Sequence, residues 1–286
     1  MIRVFQIVFL FCLPFCLTGC GGPEKEEPIW EQLKIGDLSP YQSGKESGTA
    51  RRLAGLKTAN FNIFMFEIPA ENIDALDDVW RILYSQPLQF NNYNTFRANS
   101  FVAGFGTAQM WKKIIDLLLA ADGKGKERVS LLLPDGKFND LPVARLDNKQ
   151  TIFHISSEGS MEGESIGPGM IALRIKAEKI PGSRGVCQVS MLPIFSPPII
   201  GSIPELVYRA KAGEFLFSSV GFGLKMSPGD LVVLGPERYI DHRITLGSLF
   251  FSRPEGSLFF SRTERKPPER KPAVTIFLFL CTAINY

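Results

Sequence analysis

The sequence predicts an α+β protein in which a small β-α-β-β-α-β module precedes a β-rich, sandwich-like domain. In the first half, apolar residues recur at helical spacing in two segments, each lying between strand-like apolar runs. After residue 141 the helical period largely disappears, and short apolar or alternating segments follow one another between glycine and proline turns. This order favours helices packed on a small sheet, followed by packed sheets. We therefore expect one module over residues 59–140 and a second domain over residues 141–286.

The first module is predicted to contain four strands and two amphipathic helices. The first strand ends at Pro69, and the helix after it repeats apolar residues every three or four positions up to Leu83. Thr107 is a candidate N-cap for the second helix, which stops at Gly123. The asparagine-rich residues 91–94 are expected to form a turn. The predicted strands cover residues 61–68, 88–90, 100–105 and 129–133, and the second helix covers residues 110–118.

The β-rich domain is predicted from alternation and turn signals. Ile171, Leu173 and Ile175 alternate with Ala172 and Arg174, as in a strand with one buried face. A capping-box pattern at residues 202–205 predicts one short helix, and the last apolar segment is too short to span a bilayer as a helix. The predicted strands cover residues 151–155, 170–177, 186–192, 215–224, 230–234, 243–251 and 273–284.

Carboxylates cluster at the start of the first predicted helix, at Glu71, Asp74, Asp77 and Asp78. Such a cluster can serve acid–base chemistry or hold a cation, but acids near a helix start also complement the helix dipole. We expect a solvated helix face, on which Asp77 and Arg81 form an ion pair one turn apart.

The segment Gly-Ser-Leu-Phe-Phe-Ser-Arg occurs twice, at residues 247–253 and 256–262. Two copies are too few for a repeat architecture, which needs at least about three units. We expect the first copy to lie in a strand and the second to bulge outward as a dispensable loop, whose closure depends only weakly on its length. The charged, proline-rich residues that follow extend this expected loop over residues 254–272.

The N-terminus has the layout of a secretory signal peptide. Arg3 supplies one positive charge, an apolar stretch runs through residues 4–17, and small residues lead to Cys20. An uncleaved transmembrane helix is the alternative. The apolar stretch contains Pro14 and is shorter than the roughly 20 residues that a spanning helix needs, which favours the signal peptide.

Residues 17–20, Leu-Thr-Gly-Cys, resemble the lipobox of bacterial lipoproteins. The resemblance implies that residues 1–19 are removed as the signal peptide and that Cys20 is diacylated, which anchors the chain to a membrane. Gly21 then implies, for this class in two-membrane bacteria, an outer-membrane location facing the periplasm or the cell surface. Residues 20–58 are polar with sparse apolar residues, so we expect a flexible tether.

Composition excludes several function classes. The formal net charge of +3 gives no electrostatic case for nucleic acid as a partner. The chain has 2 histidines and no Cys-x-x-Cys pair, so we predict no metal site and no cofactor. Cys187 and Cys281 fall in apolar segments, where they either pack as small hydrophobes, which we favour, or pair with each other. His154 is expected on a strand, facing a polar surface.

One serine motif invites comparison with hydrolases. Residues 163–167 match G-x-S-x-G around Ser165, and Asp241 and His242 follow in the chain order of a triad. A nucleophile elbow needs an apolar strand before the serine and a helix after it, whereas polar residues and Pro168 flank this match. We therefore expect a polar turn, no catalytic residues and no enzymatic activity.

Three segments of the second half carry a family resemblance. Residues 229–235 form a valine-rich segment after a glycine, residues 246–250 read Leu-Gly-Ser-Leu-Phe, and residues 275–282 form an apolar terminal segment. They resemble the C-terminal domain of bacterial secretins, the outer-membrane gates of secretion and pilus machines. The first module is similar to the small ring-building modules that precede secretin domains. The chain departs from the secretin pattern at two points: no proline follows Thr282, and nothing resembles the amphipathic membrane hairpins. The resemblance therefore implies a role in envelope assembly and not a pore.

These observations predict an outer-membrane lipoprotein that acts by binding, with an envelope or secretion-machine protein as its partner. A lipoprotein that binds a soluble ligand is the alternative, and a hydrolase is the least favoured. A deep apolar pocket would favour ligand capture, whereas exposed sheet edges or a flat apolar patch would favour a protein partner.

Overall fold

The structure is a computed structural model that describes residues 57–198, 204–241, 244–253 and 271–286. Its first sheet contains β1 (Thr58–Pro69), β3 (Phe101–Thr107), β4 (Lys124–Pro134), β12 (Asp230–Pro236), β13 (Ser252–Arg253) and β14 (Ala273–Asn285). The strands follow the order β3-β12-β14-β1-β4, with β13 also beside β14. All of these pairings are antiparallel.

The second sheet contains β2 (Gln89–Phe90), β5 (Phe138–Leu146), β8 (Gly169–Lys179), β9 (Cys187–Ser196), β10 (Phe215–Leu216) and β11 (Phe222–Met226). The order is β2-β11-β9-β8-β5, and β10 also pairs with β9. A separate hairpin consists of β6 (Gln150–Ile155) and β7 (Met161–Ile166). Two of these strands, β5 and β7, were not predicted from the sequence.

Within the described residues, five α-helices connect the strands: α1 (Leu76–Ile82), α2 (Tyr93–Ala98), α3 (Trp111–Ala120), α4 (Pro204–Ala212) and α5 (Leu246–Phe251). A 3-10 turn over Ala70–Ala75 leads directly into α1. None of the helices among the described residues is both long and apolar enough to cross a membrane.

Strand β1, inside the first sheet, is buried on both faces along most of its length. Phe61 and Ile63 belong to a hydrophobic core that also takes in residues of the second sheet, so the two sheets pack face to face. Phe64 points to the other face, where its ring centroid lies 4.8 Å from that of Trp111 in α3. Buried side chains on both faces account for the nearly continuous apolar sequence of β1. The fold is thus mixed α+β with a large β-rich part.

The two segments predicted as separate domains contribute strands to the same sheet. The turn after β4 takes the chain from the first sheet to the second, near the predicted boundary at residue 140. However, β12 and β14 return to the first sheet, where β14 pairs with β1 along its whole length. The sequence position of residue 140 therefore does not separate one sheet from the other.

Helix α5 occupies residues for which a strand was predicted, so the strand over residues 243–251 is wrong. The Ser248 amide donates to the Thr245 hydroxyl at 3.3 Å, and the Thr245 amide donates to the Ser248 hydroxyl at 3.2 Å. This reciprocal capping starts a helix, and all of its residues are buried. The second copy of the repeated segment, with residues 254–270 of the expected loop, lies outside the described residues.

Three local predictions in the first half also change. Residues 93–98 form α2 instead of a turn, because the Asn92 side chain accepts the Thr95 amide at 3.1 Å and caps the helix. Thr107 makes no side-chain cap bond. Arg81 pairs with Asp78 at 2.6 Å rather than with Asp77.

Candidate functional site: a groove at the edge of the first sheet

The residues singled out in the sequence do not meet in one site. Cys20 and His242 lie outside the described residues. Ser165 lies inside β7, paired with Thr151 of β6, so no strand-to-helix elbow surrounds it. Asp241 accepts a hydrogen bond from the Tyr239 hydroxyl at 3.0 Å. In the described part of the chain, no three His, Cys, Asp or Glu side chains group as metal ligands.

His154 is buried, and the expectation of a polar surface around it is wrong. Its side chain packs against the rings of Phe215 and Phe217, with centroid distances of 5.7 and 5.3 Å. Neither ring nitrogen has a hydrogen-bond partner. The reason is that this face of β6 packs toward β10 and the residues after it instead of toward solvent.

Cys187 and Cys281 are free thiols that are buried in the core between the sheets. Burial raises the pKa of Cys187 to about 12 and also raises the pKa of Cys281. Both cysteines thus pack as small hydrophobes, as their apolar sequence context indicated.

The acidic residues of the first helix form a solvated face, as predicted: Glu71, Asp74, Asp77 and Asp78 are all exposed. A more enclosed charged cluster lies on β8. There, the Arg174 guanidinium donates to both carboxylate oxygens of Asp140, at 2.7 and 2.8 Å, and to Glu214 at 2.9 Å. These carboxylates raise the pKa of Arg174 and accept three hydrogen bonds from it, which indicates a structural role for the cluster.

A polar groove of about 310 Å³ lies at the β3 edge of the first sheet. We call it the edge groove. Three separate parts of the chain build it: the segment around α1 and α2, strand β3, and the residue after β12. Its lining residues are Asp77, Trp80, Leu83, Tyr84, Ser85, Tyr93, Arg97, Val102, Ala103, Gly104 and Glu237.

A glycine on β3 brings the segment after α1 against the sheet edge. A Cβ atom at Gly104 would lie 2.6 Å from the Cβ of Leu83, so only glycine allows this close approach. Tyr84 then exchanges two backbone hydrogen bonds with Phe105, at 2.9 and 2.8 Å. Tyr84 is 58% exposed and lines the groove.

An ion pair and a second tyrosine form the other side of the edge groove. Arg97, in the last turn of α2, donates to Glu237, which follows β12. This hydrogen bond and the attraction of the opposite charges raise the pKa of Arg97. Tyr93 opens α2, and its exposed ring lies 5.1 Å from that of Phe90. The groove therefore combines two exposed aromatic rings with oriented donors and acceptors.

The two outer strands of the first sheet differ in how their edges are protected. β4 carries Lys124, Lys126 and Arg128, and basic residues discourage pairing with another chain. β3 carries no charged residue. Among the described residues, Tyr84 alone pairs with the outer edge of β3. The edge inside the groove is therefore the less protected of the two.

Most of the groove residues were not predicted as functional. Asp77 is predicted to lie on a solvated helix face and to pair with Arg81, and no role is predicted for Arg97 or Glu237. Tyr84 and Tyr93 are two of the 6 tyrosines in the chain, and both lie close to the asparagine-rich segment. This concentration of tyrosine was a usable signal, since exposed aromatic residues are enriched at binding surfaces.

Comparisons with known proteins add little to this description. No protein-family model and no curated protein matches the chain. Among solved structures, it is faintly similar to the V. cholerae type IV competence pilus secretin PilQ, with 6% sequence identity and a TM-score of 0.22. The match covers 81% of this chain and 62% of the secretin. A TM-score this low carries no argument about function.

Proposed function

We propose that the protein is a lipid-anchored outer-membrane protein that acts by binding an envelope protein at the edge groove. The anchor rests on the lipobox resemblance at Cys20. The binding role rests on the groove, where two exposed tyrosines and an ion pair surround an unprotected sheet edge. That open edge is the observation that carries the proposal, because unpaired strand edges are templates for pairing with another chain.

The anchor is tested with Cys20→Ala. The variant is expected to leave the membrane fraction or to remain unprocessed, and mass spectrometry of the wild-type mature N-terminus is expected to show acyl chains. Unchanged membrane fractionation, together with an N-terminus free of acyl mass, would overturn the location.

The binding surface is tested by photo-cross-linking in intact cells. A photoreactive phenylalanine analogue replaces Tyr84 in the edge groove or, as a control, Tyr208, which is 75% exposed on α4. We expect a protein adduct from position 84 and none from position 208. Equal adducts from both positions, or none from position 84, would contradict the proposal.

A second candidate function is capture of a soluble apolar ligand. A cavity of about 530 Å³ lies beside β5 and β8 of the second sheet, and Leu146, Met170 and Ala172 supply apolar lining. Its size is typical of a small-molecule site. A photoreactive residue at position 170 that labels a small molecule, with no adduct from position 84, would favour this function instead.

A further inference from the structure

The outer edge of β3 presents a backbone N–H and C=O inside the edge groove that have no partner among the described residues. In an antiparallel strand, alternate residues direct both backbone groups to the same side. Phe105 directs its N–H and C=O outward to Tyr84, whereas the Ser100 carbonyl accepts the Glu237 amide at 3.1 Å on the β12 side. Ala103 therefore directs its N–H and C=O outward, as Phe105 does. No hydrogen bond within the described residues reaches these two groups.

The described part of the chain leaves this position open. Tyr84 covers Phe105, but the carbonyl of Ser85 accepts the Leu88 amide at 3.1 Å, so the chain turns away before it reaches Ala103. Ala103 lines the groove. An extended segment entering the groove can continue the row of backbone hydrogen bonds that Tyr84 begins along the edge of β3.

We propose that the edge groove binds an extended peptide as a short added strand beside Ala103, and that it prefers basic side chains next to the paired residue. The proposal rests on the proposed function and names the chemistry of its partner. Main-chain hydrogen bonds supply the affinity in such strand addition, and the neighbouring side chains supply the specificity.

The preference for basic residues follows from which face each side chain reaches. Ala103 packs against the core between the sheets, so the peptide residue opposite it points to that face. Its two neighbours point to the other face. There Trp80 lies over Gly235, since a Cβ atom at Gly235 would be 3.1 Å from the Trp80 ring. Asp77 lines the groove from the same helix, is exposed, and has no ion-pair partner among the described residues. Its carboxylate therefore favours a basic side chain at the peptide positions that point to this face.

A second copy of this chain fits the site less well. Its own Tyr84 already occupies Phe105, so on each copy this part of the β3 edge is blocked to the strand of the other. A separate extended peptide has no such obstruction. The occupant we propose is therefore a basic, extended segment of a partner protein.

The test uses the full mature chain in detergent micelles and a fluorescein-labelled capped peptide, Thr-Lys-Val-Lys-Thr, followed by fluorescence anisotropy. One matched peptide carries glutamate in place of both lysines, and another carries an N-methyl group on the central valine, which removes its donor. Ala103→Pro replaces the outward N–H by the proline ring, at an edge position where proline is tolerated. Asp77→Asn is compared with Asp74→Asn, an exposed carboxylate outside the groove.

We expect saturable binding that Ala103→Pro and the N-methyl peptide each weaken by about tenfold, the equivalent of one hydrogen bond. Asp77→Asn is expected to weaken it about threefold, and Asp74→Asn to leave it unchanged. The proposal would be overturned if the lysine peptide did not bind or if the N-methyl peptide bound equally well. The N-methyl comparison uses the wild-type protein, so it does not depend on the folding of a variant. If cross-linking from position 84 succeeds while these peptides fail, the peptide chemistry is wrong and the groove remains the binding surface.

Discussion

The carboxamide of Asn99 pairs with the backbone of Ile155 as a neighbouring strand would. Its Nδ2 donates to the Ile155 carbonyl at 3.0 Å, and its Oδ1 accepts the Ile155 amide at 2.8 Å. Asn99 follows α2 and is 6% exposed, and Ile155 ends β6. An isolated two-stranded hairpin is marginally stable in water. This side chain therefore helps to fix the β6–β7 hairpin to the rest of the fold.

Asn99→Leu keeps the approximate shape of the side chain and removes both hydrogen bonds to Ile155, together with a third that Asn99 Nδ2 donates to the Thr95 carbonyl at 2.8 Å. It leaves the partly buried Ile155 amide without a partner, so we expect the free energy of unfolding to fall by about 2–3 kcal/mol. Ser219→Ala is the control, since the Ser219 hydroxyl donates to the same carbonyl at 3.1 Å and its loss leaves the amide paired. Urea unfolding measures both variants. A smaller loss for Asn99→Leu than for Ser219→Ala would contradict the role of Asn99.

Asp230 is expected to make stability depend on pH. Burial raises the pKa of its carboxyl above the usual value, although the Ser227 amide donates to it at 2.7 Å. The folded state therefore binds the proton more tightly than the unfolded state. The resulting stabilisation is complete below the unfolded pKa of about 3.9 and is lost as the pH rises through the folded pKa.

Asp230→Asn keeps an oxygen acceptor for the Ser227 amide and removes the charge. We expect the variant to be at least as stable as the wild type at pH 7, with any gain shrinking as the pH falls toward 3.5. Urea unfolding of both proteins at the two pH values measures this, with Asp74→Asn as the exposed control. A variant that is less stable at pH 7 and matches the wild type at pH 3.5 would show the opposite linkage.

Strands with strong alternation or nearly continuous apolar sequence were predictable, and β1, β8, β12 and β14 lie where their patterns placed them. Other elements depend on contacts that a local pattern does not contain. The apolar residues of α5 suit a strand as well as a helix buried on all sides, and the Thr245–Ser248 capping pair decides between them. β5 was missed because polar residues and Pro142 interrupt its alternation.

The candidate site was less predictable than the strands. Its residues come from parts of the chain that are more than a hundred positions apart, such as Arg97 and Glu237. They meet only because β12 pairs with β3, and residues this distant in sequence have no shared periodicity. The local signals were the tyrosines and the uncharged β3 segment, and neither indicates by itself where a groove forms.

The two core cysteines are expected to be unreactive in the folded protein. Because the pKa of Cys187 is raised to about 12, only a minute fraction is thiolate at pH 8, and both sulfurs are shielded from solvent. Iodoacetamide should modify neither thiol of the native mature protein and both after unfolding in urea. Intact-protein mass spectrometry counts the additions. Modification before unfolding, or a mass lower by two hydrogen atoms that indicates a disulfide, would contradict this expectation.

The duplicated segment allows one substitution to be compared at two equivalent positions. Phe250, in the first copy, is fully buried in α5, and its ring lies 5.1 Å from that of Phe101. Phe250→Ala is therefore expected to cost about 3–5 kcal/mol of unfolding free energy.

Phe259 is the equivalent residue of the second copy, which the sequence predicts to be dispensable. Phe259→Ala, and deletion of residues 256–264, should each change stability by less than about 1 kcal/mol. Urea unfolding of the three variants tests this, and a loss for Phe259→Ala comparable to that for Phe250→Ala would mean that the second copy has a buried site of its own.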